Sequence, residues 1–473
     1  MPEKTTHLVV VGAGPGGYVA AFLAADLGMD VTLVDTEINP GGICLYRGCI
    51  PSKALLHVAK VLSEAHEAKN WGIDFGNPKI DLNKMRDWKN SVVSKMTGNL
   101  GVLAKQRKVK FIQGRAAFKN ATTLAIQKEG GAAEELNFKF AIVATGSRPA
   151  TLPDLPSDPR ILNSTGALEL KDIPKTLLVV GGGYIGLELG SVYASLGTKI
   201  SVVEMTSSLL PGVDSDLTRI LSKNLENRFE IIMLNTKVSA LKPDKNGIHV
   251  SFEGADIKAK EREFEKVLIA VGRKPNSSGI GLENTKIEID NKGFVKINAQ
   301  RQTKEPNIYA IGDIAGEPML AHKASHEGRV AVEAIAGHKV AFEPKAIPAV
   351  VFTDPEIAWC GLTENQAAKE NRSVKIAKFP WGASGRATTL DRNDEITKLI
   401  LDAETERVLG VGIAGVGAGE LIAEGVLAVE MGAIVTDLKL SIHPHPTLSE
   451  TFMESAEAFF GQSSHIYRPK KDK

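Results

Sequence analysis

The chain has 473 residues, 57 basic against 56 acidic side chains, a formal charge of +1 at pH 7 and 43% hydrophobic residues. That length and apolar content support about three domains with buried cores. So balanced a charge excludes the strong field that draws a protein to nucleic acid or anionic lipid, and three cysteines in a chain this long exclude a disulfide scaffold.

The N-terminal "MPEKTTH" has no apolar core, so neither a signal nor a transit peptide is predicted. It runs into the strand-like Leu8 to Val11, which ends in "GAGPGG" and supplies Gly12, Gly14 and Gly17 in G-x-G-x-x-G spacing. A helical pattern from Tyr18 to Leu27 and a second strand "VTLVD" follow, closing on Asp35. Strand, glycine turn, helix, strand and acid together predict a dinucleotide site. The glycines admit a pyrophosphate to the helix N-terminus, and the acid holds a ribose hydroxyl.

Next comes "GGICLYRGCIPSK", with Cys44 and Cys49 five positions apart. Zinc is disfavoured, because the spacing is not C-x-x-C and no further ligands lie nearby. In an ideal helix, residues five apart are rotated by about 140° and separated by roughly 7.5 Å of rise, which does not suit a disulfide. A bridge therefore needs a distorted helix; Pro51, which cannot bond to the Arg47 carbonyl, supplies one reason, and Arg47 between the thiols would favour a thiolate. On the residues alone the pair is catalytic, metal-binding or idle.

From Ala54 to Gln106 the pattern is helical and charged, interrupted at "GIDFGNPKID", and predicts a helical pair. The glycine unit then recurs: "TLLVVGGGYIGLELG" carries Gly181, Gly183 and Gly186, and "ISVVE" ends at Glu204, each 169 residues after its counterpart. Two such sites without a P-loop imply two redox nucleotides working together. The β-rich runs "FAIVATGSRP" and "KVLIAVGRKP" echo each other and place boundaries near residues 150 and 275. "PNIYAIGDIAG" is a short strand ending at Gly312 and Asp313, where a carboxylate can meet a sugar-like hydroxyl, although on these residues alone a turn aspartate is the simpler reading. From about residue 347 strand and helix mix without a glycine fingerprint or metal motif. The apolar stretch Leu409 to Val435 is interrupted by Glu420, Glu424 and Glu430, which are costly in a bilayer. A soluble cytoplasmic protein is expected, with no membrane or nucleic-acid partner. Cys360 is expected in a core, and the Lys470, Lys471, Lys473 tail is expected to be a solvated end.

With "GAGPGG", "GGICLYRGCIPSK", "ATGSRP", "GGGYIGLELG", "YAIGD", "MLAHKASHEG" and "HPHPTLSE" in this order, the chain resembles the flavin-dependent (class I pyridine nucleotide) disulfide oxidoreductases, and among them the dihydrolipoyl dehydrogenases, from about residue 7 to about 460. The resemblance implies an α/β fold of two Rossmann-like dinucleotide-binding domains, for FAD and NAD, plus an α+β C-terminal dimerisation domain. The boundaries are 1–149 (FAD, with the redox disulfide), 150–275 (NAD), 276–346 (a central domain completing the FAD site) and 347–473 (the interface domain of a homodimer). By the same resemblance Cys44 exchanges with a dithiol substrate and Cys49 lies against the flavin. Gly12, Gly14, Gly17, Asp35, Lys53, Ala116, Gly146, Asp313 and Ala321, with the backbone near His322, serve FAD. Gly181, Gly183, Gly186, Glu188, Glu204 and Gly272 serve NAD, Glu188 also pairing with Lys53.

His445 resembles the family's base, with Glu450 orienting it and the other subunit supplying the disulfide; the His445–Pro446 bond is expected to be cis. Asp35, Tyr46, Ala116 and Pro444 depart from the usual residues at their positions without removing a reacting group. No metal is implied. The implied reaction takes dihydrolipoyl groups, carried by the acyltransferase component of a 2-oxo acid dehydrogenase complex, to lipoyl groups as NAD⁺ becomes NADH. Two rivals remain. An NADPH-dependent glutathione-type reductase is disfavoured by Glu204, whose charge repels a 2′-phosphate. A non-catalytic flavoprotein docking subunit need not react with dihydrolipoamide at all.

Overall fold

The strand and glycine-turn units fold as two largely parallel sheets, and the C-terminal region as an antiparallel one. The computed structural model describes residues 4–254 and 260–467, so the Lys470, Lys471, Lys473 tail lies outside the described residues. Thr5–Val11 runs between Val31–Asp35 and Glu134–Val143, parallel to both. Leu8, Val9 and Val10 are fully buried there, as expected where both faces of a sheet are covered. Ile308–Ala310, from the 276–346 stretch, pairs in parallel with Ala141 to Val143 and so belongs to this first sheet. The helix Ala321–Ile335 follows and packs on Pro15–Asp26, so closely that a Cβ on Gly328 would lie 2.8 Å from the Gly16 carbonyl oxygen.

In the second unit Ile231–Met233, Lys199–Val203, Thr176–Val180, Lys266–Ile269 and Ile161–Leu162 form one parallel sheet in that order. The repeat is geometric as well as sequential. Gly12 and Gly181 have φ of 99° and 107°, and a Cβ on them would fall 2.4 and 2.5 Å from the carbonyl oxygens of Ala144 and Ala270. The two echo motifs meet: Ser147–Pro149 pairs antiparallel with Arg273–Pro275. The second unit therefore leaves and re-enters the first at a single ribbon.

The helical pair is Cys49–Glu67 and Leu82–Gln106. The stretch from Ala349 to Ala414 forms an antiparallel sheet of five strands, followed by the helices Ala418–Met431 and Glu450–Phe459. Leu217, Leu221 and Leu225 of the helix Ser215–Arg228 share a core with Val351, Ile357 and Ala414, which fastens this region to the second nucleotide unit. Cys360 is buried, and burial pushes its thiol up to about 12. Met431 (76% exposed) and Ile442 (97% exposed) leave apolar surface outside. No helix among the described residues is long and apolar enough to cross a membrane.

The glycine spacing generates a contrast. A Cβ on Gly186 would lie 2.4 Å from the Gly181 carbonyl oxygen, whereas one on Gly183 meets nothing within 4 Å. Gly186→Ala is expected to cost about 1–3 kcal/mol through overpacking and to lower Tm by several degrees. Gly183→Ala should leave Tm unchanged. Equal thermal shifts would contradict the close approach.

Candidate active site

The local fold around the cysteines departs from the expectation built on Pro51. One helix, Gly42–Arg47, ends at Gly48, and another, Cys49–Glu67, begins immediately after it. The break is at Gly48: a Cβ there would lie 2.9 Å from the Ile43 carbonyl oxygen and 3.3 Å from the Cys44 Cα, so only glycine lets the chain turn this tightly. Pro51 sits in the first turn of the second helix, where its missing N–H needs no partner. The turn brings Cys44 and Cys49 together as free thiols in hydrogen-bond contact.

That contact divides their chemistry. Donation from Cys44 is the main reason the Cys49 thiol falls from an ordinary value to about 7; burial opposes this, and the Lys53 ammonium adds to it. Cys44, which keeps the proton, is pushed up by its bond to Cys49 and by burial. Arg47, expected to favour the thiolate, is instead paired with Glu37. Lys53 takes its place. Its Nζ lies 2.8 Å from Glu188 Oε2, which also accepts from the Ser52 hydroxyl at 3.1 Å, while Glu188 Oε1 accepts from the Phe352 backbone N–H at 3.0 Å. Lys53 also sits 4.4 Å from the centre of the Phe352 ring, within cation–π range.

Cys44 and Cys49 line a cavity of about 390 Å³, together with Gly12, Gly14, Asp35, Lys53, Gly146, Glu188, Asp313 and Ala321. Gly17 does not face it; a Cβ there would collide with the Gly12 carbonyl oxygen at 1.8 Å, so its role is to pack the helix on the turn. Ala116 does not face it either, lying buried opposite Ile126 in the antiparallel part of the sheet. The Pro15–Asp26 helix has no side-chain cap at its N-terminus. Its free N–H groups and the bare glycine turn fit the pyrophosphate of a dinucleotide such as FAD.

Asp35 is more constrained than a ribose acceptor alone: Oδ2 accepts from the Ala13 N–H at 2.6 Å and Oδ1 from the Glu37 N–H at 3.0 Å. Asp313 accepts from the Ser147 hydroxyl. The turn that presents Asp313 is braced by Glu327, fully buried, which accepts from the Gly312 N–H at 2.7 Å and pairs with Arg301 at 2.9 Å and Lys323 at 3.2 Å.

A second cavity of about 1280 Å³ is lined by Gly181, Gly183, Glu204 and Gly272. Glu204 repeats the bonds of Asp35, its Oε2 accepting from the Gly182 N–H at 2.7 Å and its Oε1 from the Thr206 N–H at 2.8 Å. The Tyr184–Ser195 helix is likewise uncapped, and the site fits NAD. Gly186 packs on Gly181 rather than facing this cavity. Glu188, expected with the NAD set, lines the first cavity. Tyr184, Ile185, Arg273 and Met319 line both. Tyr184 is 39% exposed, and partial desolvation pushes its phenol up to about 12; a phenol is neutral at pH 7 with or without that shift. Its place directly after "GGG" was the only hint of that position.

His445 and Glu450 stand apart from both cavities. The His445 side chain is 75% exposed, and its Nδ1 lies 2.9 Å from Glu450 Oε1. A carboxylate only accepts, so Nδ1 carries the hydrogen, and in the neutral ring this tautomer leaves the Nε2 lone pair free. Burial would raise the Glu450 carboxyl, but the Thr447 N–H, at 2.8 Å, and His445 hold it below its usual value. The His445–Pro446 bond is cis. Both nitrogens of His443 are taken, by Glu424 and by the Ser441 carbonyl, each at 2.9 Å, so it has no free nitrogen to act as a base.

These thiols generate a pH prediction. A lowered acid pKa means thiolate above that value and thiol below it, so alkylation of the reduced protein should be fastest at Cys49 and lose its rate as pH falls through about 7. Cys44→Ala removes the donor and should move the midpoint up; Cys44→Ser, which still donates, should not. Peptide mapping that finds Cys44 as the faster thiol would reverse the assignment.

Comparison with known proteins agrees with this geometry. Residues 6–328 match the pyridine nucleotide-disulphide oxidoreductase family, and residues 347–456 match that family's dimerisation domain. A dihydrolipoyl dehydrogenase of Vibrio cholerae is 48% identical over 472 residues, covering 100% of this chain and 99% of that one. Another, of Geobacillus stearothermophilus, is 45% identical over 461 residues, covering 98% and 97%. Among solved structures, LpdA of Mycobacterium tuberculosis superposes with a TM-score of 0.88 at 26% identity, covering 96% of this chain and 99% of its own. The HOCl-induced flavoprotein disulfide reductase of Escherichia coli does so at 0.85 and 26%, covering 97% and 99%. The chain belongs to the pyridine nucleotide-disulphide oxidoreductase family, with that family's dimerisation domain at its C-terminal end.

Proposed function

We propose that this homodimeric oxidoreductase takes dihydrolipoyl groups to lipoyl groups and NAD⁺ to NADH, with Cys44 and Cys49 alternating between dithiol and disulfide. The observation that carries the reading is the hydrogen-bonded thiol pair on the wall of one dinucleotide cavity, with only a few shared side chains between it and a second. The full-length relatives named for this reaction support the substrate. FAD, when bound in the first cavity, supplies the passage between two-electron sulfur chemistry and nicotinamide hydride chemistry.

The chain's own residues do the rest. One substrate thiolate attacks Cys44, opening the Cys44–Cys49 bond and leaving Cys49 as thiolate. The second substrate thiolate then displaces Cys44, which leaves as a thiol once protonated. Lipoyl disulfide departs, and the enzyme holds two more electrons and both substrate protons, one on Cys44 and one on His445. Lys53 balances the Cys49 thiolate, and Glu188 holds Lys53 in place. His445 Nε2 takes a substrate thiol proton. Help of this kind is typically worth about 10² to 10⁴ in rate, and Glu450 stabilises the imidazolium that results. Because His445 lies outside its own chain's cavities, it serves the cysteine pair of the partner subunit. Regeneration of the disulfide yields one NADH and one proton per lipoyl group released.

Glu204 selects the nucleotide. Its carboxylate is fixed by two backbone N–H groups and would face a 2′-phosphate as a like charge. The lipoyl group arrives on a partner, the acyltransferase component of a 2-oxo acid dehydrogenase complex, and sparse cysteine usage supports a reducing, cytoplasmic setting. A steady-state comparison tests the reading. Dihydrolipoamide with NAD⁺ should turn over, with kcat/KM for NADP⁺ lower by at least about 10²-fold, and Glu204→Gln should narrow the gap. Preferential turnover of glutathione disulfide with NADPH would overturn it.

A further inference from the structure

The buried charge cluster between the second nucleotide unit and the C-terminal sheet has no part in the chemistry above. Lys398, on the strand Ile396–Asp402, has a side chain with no exposure, and its Nζ lies 2.6 Å from Asp214 Oδ2 and 2.8 Å from both Asp216 Oδ1 and Glu364 Oε1. Lys378 adds a second ammonium at 2.6 Å from Asp216 Oδ2. The three carboxylate ligand atoms lie within 4.8 Å of one another, and the Lys398 ammonium already occupies the place a metal would take. Burial disfavours its charged form, but the three carboxylates outweigh that and hold the ammonium's pKa above its ordinary value.

The location gives the cluster a use. Asp214 belongs to the nucleotide unit, just ahead of Ser215–Arg228, yet its two oxygens accept from the Glu364 and Asn365 backbone N–H groups of the C-terminal region, at 3.0 and 3.1 Å. Asn365 Nδ2 reaches back to the Val213 carbonyl at 3.3 Å. Val213 lines the nucleotide side of the second cavity, and Thr363, Asn365 and Gln366 line the facing side. Asp214 and Glu364 are thus one residue from the two walls. Gly412 makes room for the arrangement: a Cβ there would lie 2.8 Å from Leu217 and 3.1 Å from the Lys398 stem.

We propose that Lys398, Asp214, Asp216 and Glu364 are positioning residues for the pyridine nucleotide: together they lock the width of the second cavity by tying its two walls to one buried ammonium. The inference rests on the reading that this cavity takes NAD. A hydrophobic filling could stabilise such an interface equally well, but apolar contacts adjust by sliding, whereas a buried ammonium with three carboxylates has one geometry. The cluster touches neither cysteine nor the first cavity, so its loss should act on one half of the reaction.

The test uses the holoenzyme with Asp214→Asn, Glu364→Gln and Lys398→Met. Each should raise the KM for NAD⁺ by roughly tenfold with kcat at saturating NAD⁺ nearly kept, as expected when binding alone is lost. Anaerobic flavin reduction by dihydrolipoamide without NAD⁺ should stay within about twofold of the parent rate. If Lys398→Met does not accumulate folded, the two near-isosteric variants give the same comparison. An unchanged KM in folded variants, or an equal fall in both half-reactions, would overturn the proposal. Turnover of the parent enzyme with NAD⁺ in the same assay keeps a failure here distinct from a failure of the underlying reading.

Discussion

A single buried carboxylate joins the parts of this molecule. Glu188 sits on the helix that opens the second nucleotide unit, holds Ser52 and Lys53 of the cysteine helix, and accepts from the Phe352 N–H of the C-terminal region. A charge so buried is costly unless paired, so the Glu188 carboxylate is fully satisfied only when all three segments dock together. The same docking sets Lys53 beside the thiols and Tyr184, four residues before Glu188, between the two cavities. Thiol chemistry on one side and nucleotide binding on the other are separated by less than two turns of one helix.

The second organising constraint is the close approach at the two glycine turns. Each acid at the end of the following strand, Asp35 or Glu204, bonds the amide of the residue after the first glycine of its turn and the amide two residues beyond itself. The acid is therefore part of the turn's own architecture, and its remaining lone pairs are aimed by backbone bonds that a side-chain substitution elsewhere would not loosen.

Much of this was legible in the residues. The glycine spacing, the 169-residue repeat, the helical pair and the paired echo motifs each follow from short-range pattern, and local pattern is what fixes strand, turn and helix. What escaped was long-range. Pro51 drew attention as the helix breaker because proline is conspicuous in a sequence, whereas the break needs Gly48 to clear the Ile43 carbonyl, a contact seen only once the turn is built. Arg47 looked like the thiolate's counter-ion by proximity along the chain, but Glu37 takes it and Lys53 supplies the charge. Glu327 beneath Asp313 and Lys398 among its carboxylates had no signature, and Tyr184 between the cavities had only its place after the glycines, since each gains its meaning from partners far along the chain.

His445 poses the sharpest question about assembly. Its imidazole is oriented by Glu450 and has a free Nε2, yet it is exposed and lines neither cavity of its own chain. A base needs contact with the proton it removes, and the C-terminal region carries both this histidine and the exposed apolar side chains Met431 and Ile442. Each reaction site in this account therefore joins one chain's cysteines to the other chain's imidazole across a two-fold axis. The most direct measurement mixes chains. Cys44→Ser and His445→Gln proteins, each inactive alone, are unfolded together in equal amounts and reassembled. Random pairing makes about half the dimers mixed, each with one intact site of two, so roughly a quarter of the parent activity should return. Activity near zero, with mixed dimers shown to have formed, would contradict the shared site.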